Sequence, residues 1–133
     1  MVRPPLNTSP TISNRQAGAQ WEKTAEIFLC DHGLKIVARN FSSRFGEIDL
    51  IMEDENTLVF VEVKYRKNSH HGSGAEAITF YKQNKISLTA SWYLVKNPYR
   101  AEQICRFDVV SINTCADEQG ISWIKDAFYS TIG

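Results

Sequence analysis

Gly46-Glu47-Ile48-Asp49-Leu50-Ile51-Met52-Glu53, followed after Asp54-Glu55-Asn56-Thr57 by Leu58-Val59-Phe60-Val61-Glu62-Val63-Lys64-Tyr65-Arg66, is the stretch that decides the fold. Both runs have the β-branched and alternating content of strands, and the polar tetrapeptide between them reads as a hairpin loop. Strand register follows from the need for apolar side chains to share a face, because a one-residue slip turns every side chain over. With the turn centred between Glu55 and Asn56, Ile48, Leu50 and Met52 face Val63, Val61 and Val59 on one apolar face. The other face pairs Ile51 with Phe60, Asp49 with Glu62 and Glu47 with Lys64. Carboxylates directly opposed on neighbouring strands lie roughly 5 Å apart and repel. A divalent cation would relieve that repulsion, since hard oxygen ligands suit Mg²⁺ or Mn²⁺. Solvent and a neighbouring cation such as Lys64, Arg66 or Lys85 would relieve it without any metal.

Outward from the hairpin, the periodicity predicts a one-sided helix over 15–32, with Ala17, Trp21, Ala25, Phe28 and Leu29 at helical spacing and Gly33 at its C-terminal cap. A short strand over 35–41 and a turn over 42–46 lead into the hairpin. After it, 68–74 is small and polar and reads as a mobile loop, and 76–96 returns to helical period with Ile86, Ala90, Tyr93 and Leu94 on one face. A strand over 105–113, a turn at Gln119-Gly120 and a last strand over 121–124 complete the chain. Residues 1–14, with three prolines and no apolar core segment, read as a flexible tail, leaving 15–133 as a single domain. A chain of 133 residues with 43% apolar and 23% charged residues is sized for one packed domain and excludes disorder throughout.

Fifteen basic and fifteen acidic residues cancel, which excludes strong non-specific coating of nucleic acid. The charge is unevenly spread, however. Residues 62–100 hold seven Lys or Arg against two acids, a balance of +5, and the remainder carries −5. Cys30, Cys105 and Cys115 are odd in number and widely spaced, which speaks against a disulfide framework or a zinc knuckle. Reduced thiols, and apolar runs far short of the ~20 residues needed to span a bilayer, point to the cytoplasm. Cys30 and Cys105 are expected as small buried hydrophobes, and Trp21, Trp92 and Trp123, all in periodic segments, as packing residues before base-stacking ones. Asp108, mid-strand, is expected in a structural ion pair or hydrogen bond. His70 and His71 read as solvated loop residues that could also meet phosphates.

The run Gly46-Glu47-Ile48-Asp49-Leu50-Ile51 with Val59-Phe60-Val61-Glu62-Val63-Lys64-Tyr65-Arg66 resembles the bacterial YraN family. Gly18-x-x-Trp21-Glu22, Arg39-Asn40, Lys82-Gln83-x-Lys85, Arg106-Phe107-Asp108-Val109-Val110 and Trp123-Ile124-Lys125-Asp126-Ala127-Phe128 extend the likeness from about residue 16 to 129. That family is similar in pattern to the restriction-endonuclease-like PD-(D/E)XK nuclease superfamily, most nearly its Holliday-junction-resolvase branch, with Ile48 in place of the proline that names the motif. The resemblance implies an α/β fold: one restriction-endonuclease-like domain, order αβββαβ(β), with a central mixed sheet flanked by helices. It implies Asp49 as the metal-binding aspartate, Glu62 and Lys64 as the ExK pair, and Glu22 as the helix-one acid, with Glu26, one turn on, as the alternative carboxylate. Asp49, Glu62 and the Val63 carbonyl would hold Mg²⁺ or Mn²⁺. Arg66, Lys67, Lys82, Gln83 and Lys85 would flank the site and meet nucleic acid.

The function this implies is a metal-dependent endonuclease, a hydrolase of phosphodiester bonds in structured or branched DNA. The alternative is a non-catalytic nucleic-acid-binding or protein-interaction module that keeps the nuclease fold. A homodimer is compatible with the resemblance, although no exposed apolar stripe demands one.

Overall fold

The computed structural model describes residues 14–67, 78–115 and 118–132. The expected mobile loop, His70 and His71, and nearly all of the expected tail lie outside the described residues. Helix α1 (Asn14–Asp31) is followed by strands β1 (Lys35–Ser43), β2 (Gly46–Asp54) and β3 (Thr57–Lys67), helix α2 (Phe80–Lys96), a 3₁₀ turn (Pro98–Arg100), and strands β4 (Cys105–Cys115) and β5 (Glu118–Phe128). The five strands form one sheet in the order β1-β2-β3-β4-β5. All neighbours are antiparallel except β3 and β4, which run parallel because α2 carries the chain back over the sheet. Among the described residues, the single α/β domain with a mixed sheet and two helices, consistent with a restriction-endonuclease-like fold, is the one expected.

Each face of the sheet is buried against one helix. Ala25 and Leu29 of α1 pack with Leu50, Met52, Val59, Val61, Val110 and Ile112, while Ile86, Ala90 and Tyr93 of α2 pack with Ile48, Ile51, Phe60 and Val109. Aromatic stacking knits the second layer, with ring centroids of Phe60 and Phe107 at 5.5 Å and of Phe107 and Phe128 at 4.9 Å. The hairpin register is the expected one where the ladder runs, Leu50 opposite Val61, Ile51 opposite Phe60 and Met52 opposite Val59.

Beyond Leu50 the expected pattern fails. The β2–β3 ladder stops there, and the Val63 N–H donates to the Asp49 carboxylate at 2.8 Å. Ile48 therefore packs under α2 with Ile51, not beside Leu50 and Met52. Glu47 points to β1, where it accepts from the Ser42 hydroxyl at 3.3 Å, and does not pair with Lys64. The partner strand keeps its register at this level, its register shift lying between Ile36 and Ala38, but its side-chain alternation changes there. Arg39 and Phe41 register with Leu50 and Ile48, and between them Asn40 takes a left-handed φ of 50°, which short polar side chains tolerate better than most. The two neighbouring strands thus lose their alternation together, and Asn40 and Asp49 are freed for the site.

Three boundaries also differ. Helix α2 starts at Phe80, because the Thr79 hydroxyl caps it by accepting from the Lys82 N–H at 3.1 Å; Ile78 and Thr79, expected inside the helix, precede it. Gln119 and Gly120, expected in a turn, are strand residues opposite Thr114 and Asn113. An edge strand tolerates a glycine in its ladder, so the dipeptide is no turn signal here. Strand β5 accordingly starts at Glu118 and runs on to Phe128, well past the expected end at 124.

Candidate functional site

The break at Asp49 gathers three acids from three elements. Glu22 comes from α1, Asp49 from the start of β2 and Glu62, 8% exposed, from the middle of β3. Asn40 donates to Glu22 at 2.7 Å, holding it toward Asp49. Burial, the Glu62 charge and the Glu22 carboxylate together push Asp49 up to about 9, against the help of the Val63 N–H. These surroundings favour the protonated form of Asp49.

The two candidate acids of α1 have different partners. Glu26, the alternative to Glu22, is buried in a bidentate pair with Arg39 of β1, at 2.8 and 2.7 Å, and the guanidinium holds its carboxyl below the usual range. Glu22 is the α1 acid that acts on Asp49.

Two cations border the acids. Lys82, in the first turn of α2, pairs with Glu62 at 3.1 Å. Its partial burial opposes the charge, but Glu62, and with it Asp49 and Glu47, holds its ammonium above the ordinary value. Lys64 lies two residues beyond Glu62 on the same face, where burial, Arg66 and Lys82 lower its proton affinity against the pull of Glu62. The other expected flanking residues stand further out. Arg66 and Lys67 are exposed at the end of β3, the Gln83 amide is spent on the Ile78 carbonyl at 3.0 Å, and Lys85 lies 5.2 Å over the Tyr81 ring. Gly46 opens β2 at a φ of 153°, and a Cβ there would meet Lys85 and Thr89 at 3.7 and 3.8 Å, so β2 begins against α2.

The donor set fits a divalent cation by its chemistry, since hard carboxylate oxygens with mutual repulsion are what such an ion neutralises. Among the described residues no group of three His, Cys, Asp or Glu side chains is arranged to hold a metal ion. Lys82 on Glu62 and the proton on Asp49 are the two occupants a cation would displace.

Sequence reasoning missed Asn40, which read only as part of a family-like Arg39-Asn40 pair; no periodicity marks its left-handed turn opposite Asp49. Lys82, expected beside the site, pairs with Glu62. Asp108 is structural as expected, fully buried and accepting from Arg106 at 2.9 Å, the Trp123 indole at 2.9 Å and the Asp126 N–H at 2.9 Å. Trp21 and Trp123 are partly buried, Trp21 stacking on Tyr65 with centroids at 4.2 Å. Trp92, however, is 42% exposed. Cys30 is exposed and Cys105 half-buried, a correction for both, because Cys30 falls on the outer face of α1 opposite Ala25 and Leu29.

The fold is an α/β domain consistent with restriction-endonuclease-like architecture, with acidic residues at the break in its central hairpin. The chain belongs to the uncharacterised protein family UPF0102, matched over residues 21–112, which is the YraN family that the motifs resemble. It is 46% identical over 116 residues to a UPF0102 protein of Aliivibrio fischeri, covering 86% of this chain and 93% of that one. A UPF0102 protein of Photobacterium profundum is 48% identical over 116 residues, covering 86% and 91%. Among solved structures it is similar to Pyrococcus furiosus SfsA in complex with Ca²⁺, at 15% identity and a TM-score of 0.35, covering 86% of this chain and 64% of that one. Among the described residues no helix is long and apolar enough to cross a membrane.

Proposed function

We propose that this protein is a metal-dependent nuclease of the resolvase-like branch, hydrolysing phosphodiester bonds in structured or branched DNA. The observation that carries the reading is the meeting of Glu22, Asp49 and Glu62 from three elements, with Lys64 and Lys82 at their edge. In this reading Asp49 and Glu62, with the Val63 carbonyl, hold Mg²⁺ or Mn²⁺, and Glu22 supports them from α1. Such an ion supplies Lewis acidity toward the phosphate and an acidified water as nucleophile. Lys64, its proton affinity already lowered, orients that water or neutralises charge developing on the phosphate. Lys82 exchanges Glu62 for the backbone phosphates, and Arg66 and Lys67 extend the basic rim.

One observation favours a second reading. The Lys82–Glu62 pair closes the site with the protein's own cation, as a binding module without hydrolysis would. Cleavage of linear, flapped and four-way-junction DNA in Mg²⁺ or Mn²⁺ separates the two. The nuclease reading expects cleavage by the wild type and none by Glu62→Ala. Equal cleavage by both would mark a contaminant and remove the reading, while binding without cleavage in either would leave the module.

A further inference from the structure

Helix α2 carries a second feature that the acidic cluster does not use. Lys82, Lys85, Thr89, Trp92 and Lys96 recur at alternating steps of three and four residues, and so lie on one stripe along the helix. At its start the stripe touches the acids, where Lys82 meets Glu62. Midway it is covered by the turn between β1 and β2, where Thr89 is fully buried and its hydroxyl contacts that of Ser43 at 3.1 Å. Further along, Trp92 stands 42% exposed and forms one wall of an open cleft, about 430 Å³, with Ser43, Arg44 and Phe45. Each aromatic ring carries a cation, Arg44 at 5.0 Å from the Phe45 centroid and Lys96 at 5.7 Å from that of Trp92.

We propose that the Trp92–Phe45 cleft is a subsite for an unpaired nucleobase, filled by a single strand of nucleic acid that leaves the acidic cluster and passes over the β1–β2 turn, which carries Arg44 and Phe45. The proposal rests on the nuclease reading for its direction, since the strand leaves the site where a phosphate would be held. Aromatic walls give the flat apolar faces on which any base stacks, and a line of cations supplies sequence-independent attraction for the backbone. A Trp exposed between two cations, in a segment whose other face is packed, fits this role better than it fits packing.

Distance sets the length of the strand. Ten residues of helix separate Lys82 from Trp92, about 15 Å at ~1.5 Å per residue. At the ~3.4 Å rise of a stacked strand that is about four nucleotides, and fewer if the strand is stretched. A base still paired in a duplex presents no face to the cleft, so the subsite selects frayed, flapped or gapped ends over continuous duplex.

The test measures binding of fluorescein-labelled dT12 and of a 12-base-pair duplex by anisotropy, in Mg²⁺-free buffer, on Glu62→Gln and on wild type. Omitting the metal and disabling Glu62 remove cleavage from the readout, so binding here and cleavage above can fail separately. In either background Trp92→Ala is expected to weaken dT12 binding about tenfold and duplex binding less than twofold, with Trp92→Phe restoring most of the loss. An abasic nucleotide stepped along dT12 is expected to lower wild-type affinity at one position and not in Trp92→Ala. Phe45→Leu, with an unchanged circular-dichroism spectrum, is the second variant and is expected to follow Trp92→Ala. Equal losses for dT12 and duplex, or unchanged dT12 binding by Trp92→Ala and Phe45→Leu, would overturn the subsite.

Discussion

Two aspartates, the fully buried Asp108 on β4 and the half-buried Asp49 on β2, have opposite surroundings. Asp108 is met on both oxygens by donors, from Arg106, Trp123 and the Asp126 backbone, and Arg106 in turn reaches Asp54 at 3.0 Å. Asp49 has one backbone donor, from Val63, and two other carboxylates as neighbours. The first is a charge the fold has neutralised; the second is a charge the fold has concentrated. A protein keeps such a strained group where something outside the chain completes it, and that contrast separates structural acids from candidate catalytic ones more sharply than burial alone.

The contrast breaks most easily at Asp108. Asp108→Ala strands the buried Arg106 side and leaves the Trp123 and Asp126 donors unmet, so it is expected to destabilise the protein by about 3–5 kcal/mol in urea denaturation. A loss under about 1 kcal/mol would mean the network is dispensable. Asp49 is expected to behave in the opposite sense. Its carboxyl is raised from an ordinary 3.8 to about 9 in the folded chain, so the native state binds the extra proton and stability falls as pH rises between those values. Asp49→Asn mimics the protonated acid. It is expected to stabilise the metal-free protein by about 1–3 kcal/mol near pH 9, with the gain vanishing below about pH 4. A destabilised Asp49→Asn at high pH would show that the carboxylate is satisfied after all.

Glu26 sharpens the comparison as a third, intermediate case. Arg39 lowers its proton affinity, so its contribution is present above the ordinary carboxylate range and lost as pH falls through its depressed value. Because Arg39 is half-exposed, Glu26→Gln is expected to cost only about 1 kcal/mol at pH 7. Thermal unfolding at pH 7 and pH 3 measures this, and an unchanged difference between wild type and variant at the two pH values would rule the pair out.

Apolar alternation made the core of the hairpin legible, because Leu50, Met52, Val59 and Val61 can share a face in one register alone. It could not show the break at Asp49. That depends on Asn40 entering the left-handed region on the neighbouring strand and on a side chain replacing a backbone acceptor, neither of which leaves a period in the sequence. Glu22 and Glu26 looked equivalent because they sit one helical turn apart, and only Arg39, arriving from β1, separates them. Trp92 was expected to pack because it falls in a periodic helix. Its stripe borders the β1–β2 turn and not the sheet, so Trp92 lies at the rim of the packing and not in the core.

Calorimetric titration with Mn²⁺ tests most directly whether the concentrated charge around Asp49 is a cation site. Wild type is expected to bind with a heat signal and proton release, as the cation displaces the proton of Asp49, and Asp49→Ala is expected to give neither. Equal heats from both proteins, or none from wild type at millimolar Mn²⁺, would contradict it.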